Sequence, residues 1–185
     1  MRVLLAGVLV CLLLAGGASA AVSGAPERSR ALVVQHIDVP DDWGSIVANP
    51  CPLTQHPAVG IAARSASGWA APGPNGIWSV AEVVSSRHDA QLRFSQIRSE
   101  LPACVLAYLK KVAPGNRGFV KPLAVPPLGD RRTGWTVGYT RPDGTPKTLF
   151  SVNVVLLRTG SAVAWYIYSW PTGLSMIRHA LARTA

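Results

Sequence analysis

The groups able to do acid–base chemistry are few. The carboxylates are Glu27, Asp38, Asp41, Asp42, Glu82, Asp89, Glu100, Asp130 and Asp143, and the histidines are His36, His56, His88 and His179. A general acid/base mechanism must draw on these. Asp41 and Asp42 are adjacent and read as a solvated turn, Asp143 lies in a Pro-Asp-Gly turn, and Asp89 lies where a helix should begin. Glu82 differs, being a charge inside the apolar run IWSVAEVVS. An exposed strand face accounts for it most simply, and a carboxylate lining a cleft is the functional alternative. His88 beside Asp89 is a weak acid/base candidate.

Signatures of known chemistry are missing from the sequence. No two histidines stand at a zinc-binding interval, and there is no GxSxG elbow, SxxK, P-loop or GxGxxG. The residues therefore predict a non-enzymatic protein with no cofactor and no metal. Trp135, Trp165 and Trp170 are candidates to line a pocket, although aromatic residues in a meander more often form core. Lys110, Lys111, Arg117, Lys121, Arg131 and Arg132 form a basic stretch that reads first as solvated surface. Attraction to anionic wall polymers or lipid head groups is the alternative. No nucleic-acid module accompanies these charges, so nucleic acid is not expected as a partner.

The N-terminus places the chain. Met1-Arg2, an apolar run from Val3 to Leu14 and Ala18-Ser19-Ala20 make a secretory signal peptide over residues 1–20. Cys11 follows Val10 inside the apolar run, which is no lipobox, so a mature chain starting at Ala21 is expected. Cleavage leaves 17 of the 18 basic residues against 9 acids, a net charge of +8. No later run is long and apolar enough for a transmembrane anchor. Two cysteines remain, Cys51 and Cys104. In an oxidising compartment they most simply form one disulfide. Two buried thiols are the alternative, and a metal site lacks CxxC spacing.

Elements must position these groups. Residues 21–30 read as a flexible leader, and 31–185 as one domain. ALVVQHI is a short apolar segment, helix or strand, ended by Asp38-Val39-Pro40. Residues 77–85 are a strand with Trp78, Val80, Glu82 and Val84 on one face and Val83 on the other. Ser86 caps a helix whose apolar stripe runs through Phe94, Ile97, Leu101, Cys104 or Val105, and Tyr108. Pro102 should divide it into two pieces. Residues 110–127 read as a basic loop, and 135–140 as a strand. Residues 150–170 form a hairpin turning at Thr159-Gly160, with Val154 opposite Trp165. Val152, Val154, Leu156, Val163, Trp165 and Ile167 then share one face, and Tyr166 and Tyr168 take the other. Thr172 caps a final helix with Leu174, Ile177 and Leu181 inward. The sum is an α+β domain: an antiparallel meander sheet, helices on one face, one disulfide.

In that order the pieces LVVQHIDVPDDW, NPCP, SSRHDAQLRFSQIRSELPAC, PPLGDRRTGW and VNVVLLRTGSAVAW carry a likeness. The chain resembles the secreted sensor-like domains of actinobacteria, the group that includes the PknH-like extracellular domain. Matching positions are Asp38, Pro40 and Trp43; Cys51; Asp89, Ala90 and Cys104; Leu128, Gly129 and Asp130; Arg158 and Gly160. The resemblance implies an exported domain with a cleft that senses or binds ligands, and no catalytic residues. Many relatives are lipoproteins or tethered to a kinase, and the kinase-linked form has a second disulfide; this chain has the residues for neither. The expectation is a secreted or wall-associated binder of a small apolar or anionic ligand or of a cell-wall polymer. A cryptic hydrolase of wall or lipid substrate, and a structural or protein-interaction module, are the rivals. Glu82, Trp135 and Trp165 are the candidate ligand contacts.

Overall fold

The hairpin that anchors the sheet is present, in a register two residues from the one predicted. Gly160 takes φ +57°, which glycine adopts without strain. It occupies the first position of a two-residue turn with Ser161, so Thr159 pairs with Ala162, Leu156 with Trp165 and Val154 with Ile167. A shift of two leaves every side chain on its predicted face.

The structure is a computed structural model that describes residues 24–46, 51, 59–73, 75–143, 148–169 and 173–184. The expected signal peptide, His56, Trp170 and Thr172 lie outside them. The elements are α1 (Ala25–Leu32), a single 3-10 turn (His36–Asp38), β1 (Gly44–Ser45), β2 (Ile61–Ala70), β3 (Gly76–Val84), α2 (Arg87–Val112), β4 (Arg117–Pro122), β5 (Arg131–Thr140), β6 (Thr148–Thr159), β7 (Ala162–Tyr168) and α3 (Gly173–Ala182). The strands form one antiparallel sheet ordered β1-β2-β3-β7-β6-β5-β4. Two meanders, β1–β3 and β4–β7, are thus joined through α2 and meet at β3 and β7. This is the α+β class expected, with a Cys51–Cys104 disulfide whose Cα atoms are 5.8 Å apart.

Helices cover both faces, not one. On the first face α2 packs over Val80, Val84, Val137, Val152, Val154, Leu156, Trp165 and Ile167. On the second, α1 and α3 cover Ile77, Ala81, Val83, Val155, Leu157, Tyr166 and Tyr168. The strands β3, β6 and β7 are buried on both sides, which is why their sequences run almost continuously apolar.

Three further expectations give way. The flexible leader is helical from Ala25: Pro26 sits in the first turn, where its missing N–H is harmless, and Ala25, Ser29 and Leu32 are buried. The chain after α1 is tied to the sheet by side chains. Ser67 Oγ and Trp69 Nε1 both donate to the Val34 carbonyl at 2.6 and 2.9 Å, Val34 N–H donates to Ser79 Oγ at 2.9 Å, and Tyr166 Oη donates to the Leu32 carbonyl at 2.6 Å. Next, α2 is one helix through Pro102. Proline costs about 3 kcal/mol in a helix interior. Burial of Leu101 and Val105 on either side, each about 1.5–3 kcal/mol, outweighs that. Finally, the basic loop contains β4, an edge strand whose exposed Lys121 and Pro122 hid it.

Candidate functional site

The lone charge in β3 is buried. Glu82 has no exposure, so the exposed-face reading is wrong. Its partner is Arg93 of α2, itself 1% exposed: Nε donates to Oε2 at 2.7 Å and Nη2 to Oε1 at 3.0 Å. This is the two-pronged match of a planar guanidinium to a carboxylate. Arg93 Nη1 also donates to Gln96 Oε1 at 2.7 Å. The sequence carried a signal for this pair. Arg93 interrupts the buried stripe of α2 between Ala90 and Ile97, and Glu82 interrupts the apolar face of β3. Two opposite charges on two faces that must pack together satisfy each other.

A third member comes from β2, which sequence reasoning missed altogether. Arg64 pairs in the ladder with Glu82, and its Nε stands 3.6 Å from Oε1. Its guanidinium lies over the Trp165 ring, 5.7 Å from the centroid, with the side chain 25% exposed. Burial pulls its pKa below the ordinary arginine value; Glu82 opposes that shift and Arg93 adds to it. Two of the three predicted ligand contacts, Glu82 and Trp165, therefore meet through Arg64. Trp135 does not join them. It sits on β5, three strands from β3, or about 14 Å at the usual strand spacing, packed at the other side of the same core.

Beside this cluster is a cavity of about 170 Å³, bounded by Ile46, Ala66, Ser67, Gly68, Trp78, Ser79 and Val80. Ala66 and Gly68 follow Arg64 on the same face of β2. Gly68 is required there, because a Cβ would come within 2.7 Å of the Ile46 carbonyl oxygen and 3.0 Å of the Trp78 ring. The indole Nε1 atoms of Trp78 and Trp165 are buried, and among the described residues neither has a hydrogen-bond partner. A buried, unpaired N–H costs about 1–3 kcal/mol, and such a group calls for an explanation. Five of the seven wall residues are apolar, two of them small, one an aromatic ring and two aliphatic, and the hydroxyls of the other two, Ser67 and Ser79, are bonded to each other and to Val34, so the cavity is suited to apolar matter.

The acids that the sequence singled out elsewhere have structural duties. Asp89 accepts from the hydroxyls of Ser85 and Ser86 at 2.5 and 2.8 Å, while its N–H donates to Ser86 Oγ at 3.0 Å; the two hydroxyls hold its carboxyl below the usual carboxylate range. Asp130 accepts from the Gly160 N–H at 2.7 Å, and its own N–H donates to the Arg158 carbonyl at 2.8 Å, which latches the β6–β7 turn. Asp38 closes the 3-10 turn through Gln35 N–H at 2.8 Å and pairs with Arg183. His88 is exposed beside the α2 cap. Among the described residues no three His, Cys, Asp or Glu side chains converge as a metal site would need, and no helix is long and apolar enough to cross a membrane.

The fold and the cleft together define a class: an α+β domain of one seven-stranded antiparallel sheet between helical layers, with an open cleft at the β1–β2 end. Comparison with known protein families, with curated proteins and with solved structures finds no match. The likeness to the actinobacterial sensor-like domains rests on the quoted residues alone.

Proposed function

We propose that this chain is an exported, non-enzymatic binding domain of the sensor-like kind, secreted or wall-associated, and that the β1–β2 cleft receives the apolar part of a small ligand. One observation carries the reading: an open cavity of about 170 Å³ with mainly apolar walls, Ile46, Ala66, Gly68, Trp78 and Val80 among them. A volume of roughly 150 Å³ is enough to hold a benzene ring, so the cleft has room for one ring or a short acyl chain. The Cys51–Cys104 disulfide fits an oxidising compartment. The hydrolase reading finds less support, since both oxygens of Glu82, the carboxylate nearest the cleft, are held by Arg93 and neither is poised as a base.

Native mass spectrometry of protein purified from its own culture medium should detect a retained small molecule, and N-terminal sequencing should begin at Ala21. With emptied protein, 2-phenylethanol should quench tryptophan fluorescence saturably, and Ala66→Phe, at an exposed position on the cavity wall, should abolish that binding without loss of fold. Absence of both a retained ligand and saturable quenching would defeat the proposal.

A further inference from the structure

The cluster beside the cleft has one more cation than its carboxylate requires. Glu82 is matched by Arg93 with two short contacts, 2.7 and 3.0 Å. Arg64 approaches the same carboxylate only to 3.6 Å, outside hydrogen-bonding distance. Its guanidinium offers five N–H donors in a fixed plane, and among the described residues none of them makes a hydrogen bond. Taken together, Glu82, Arg93 and Arg64 carry a net charge of +1 in a setting three-quarters removed from water at Arg64. Water reaches the guanidinium, whose donors face no protein acceptor among the described residues, and folding alone gains little from this second cation, because Arg93 already satisfies Glu82.

The position of Arg64 completes the argument. It lies over the Trp165 ring, 5.7 Å from the centroid, a cation–π contact that favours this placement before any ligand arrives. It precedes Ala66 and Gly68 on one face of β2, and same-face neighbours on a strand are about 7 Å apart. Arg64 therefore stands about 7 Å from the near wall of the cavity at Ala66 and about 14 Å from its far wall, where Gly68 faces Trp78, so a ligand held at Arg64 extends along β2 into the cavity. The chain's net charge of +9 adds a long-range attraction of the same sign.

We propose that Arg64 is the anion-recognition residue of this cleft, and that the ligand is a small anionic amphiphile: a carboxylate or phosphate on the Arg64 guanidinium, with its apolar part in the cavity beside Trp78. The inference rests on the binding reading above and adds the chemical class of the ligand.

Three probes share one ring and differ in charge: phenylacetate, 2-phenylethanol and 2-phenylethylamine. Tryptophan fluorescence titration should rank phenylacetate about tenfold tighter than 2-phenylethanol, with the amine weakest. Raising salt from about 20 to about 500 mM should narrow the gap. Arg64→Met should bring phenylacetate down to the level of 2-phenylethanol while leaving the latter unchanged, and Arg64→Lys should keep part of the preference. Phenyl phosphate separates the two head groups: tighter binding than phenylacetate assigns a phosphate ester, weaker binding a carboxylate. Equal affinity for acid, alcohol and amine, or a preference that survives Arg64→Met in protein with an unchanged melting temperature, overturns the proposal and leaves the cleft reading standing. If none of the probes binds, the cleft reading itself fails.

Discussion

Removing the Glu82 carboxylate tests the buried pair. In Glu82→Leu, Arg93 keeps its full charge at 1% exposure and loses both short contacts, while Arg64 remains close by. The local charge rises from +1 to +2 in a region shut off from water. Breaking a buried pair from one side costs about 3–5 kcal/mol, since the remaining charge loses its matched carboxylate. Against a total stability of about 5–15 kcal/mol, that is about a fifth or more of the fold's margin. Urea denaturation with the disulfide intact measures it. With a slope of about 1–3 kcal/mol per molar, a 3 kcal/mol loss lowers the midpoint by about 1–3 M. The double variant Glu82→Leu/Arg93→Met should recover most of the loss, because no isolated charge remains, and two apolar side chains of similar size can replace a buried pair at little cost. The double-mutant cycle should then show coupling of at least about 2–3 kcal/mol. If Glu82→Leu falls within about 1 kcal/mol of wild type, or the double variant is less stable than the single, the pair is not buried and matched as described.

Three other outcomes are expected. Trp165→Ala and Tyr168→Ala should each cost about 3–5 kcal/mol in chemical denaturation, because both side chains are buried, on opposite faces that helices cover; a Tyr168→Ala cost below about 1 kcal/mol would remove α1 and α3 from the second face. Alkylation without reductant should label neither Cys51 nor Cys104, and replacing both with Ala should lower stability by about 4 kcal/mol on the chain-entropy account of a 53-residue loop. Burial pushes the Tyr168 hydroxyl up from 10.0 to about 12, so the unfolded chain releases this proton first; the contribution is whole below pH 10 and is lost as pH rises towards 12. Melting temperatures followed across that window should fall less in Tyr168→Phe than in wild type, and identical slopes would count against the burial.

How far the sequence spoke depended on whether a pattern was local. Period-two alternation located β3, β5 and the β6–β7 hairpin, and the three- and four-residue stripe located α2. The hairpin faces were legible although its register was not: side-chain direction follows parity alone, whereas register depended on which turn position Gly160 would take. β2 escaped notice because IAARSASGWA mixes alanine, serine and glycine, small residues chosen for what lies against them. Ser65 bonds Ser29, Ser67 bonds Val34 and Ser79, and Gly68 admits the Ile46 backbone. Those reasons are tertiary. The candidate site was half visible for the same cause. Glu82 and Trp165 stood out as a charge and a large ring in apolar strands, while nothing in the local sequence marks Arg64, which only the β2–β3 pairing sets against Glu82.

The cleft follows from the way two unequal layers cover one sheet. Seven strands at about 4.8 Å spacing span roughly 29 Å between outer axes, whereas a helix with its side chains is about 10–12 Å wide. α2, with 26 residues, is about 39 Å long, and it crosses the sheet over β4 to β7 and reaches β3. On the opposite face α1 lies over β2 and β3. The α2 side of β2 is therefore the part of the sheet that the helix does not reach, and Ala66 is exposed there. Glu82 and Arg93 stand at the boundary of that cover, where a buried pair holds the rim of α2 to β3, and Arg64 stands one strand beyond it. The same geometry that makes Glu82 unavailable as a base thus leaves Arg64 at the lip of an apolar hollow with donors to spare. An opening formed in this way is shaped by backbone and by small residues of β2. Enlarging Ala66 should close it, and changing Arg64 should alter only the charge of what it accepts.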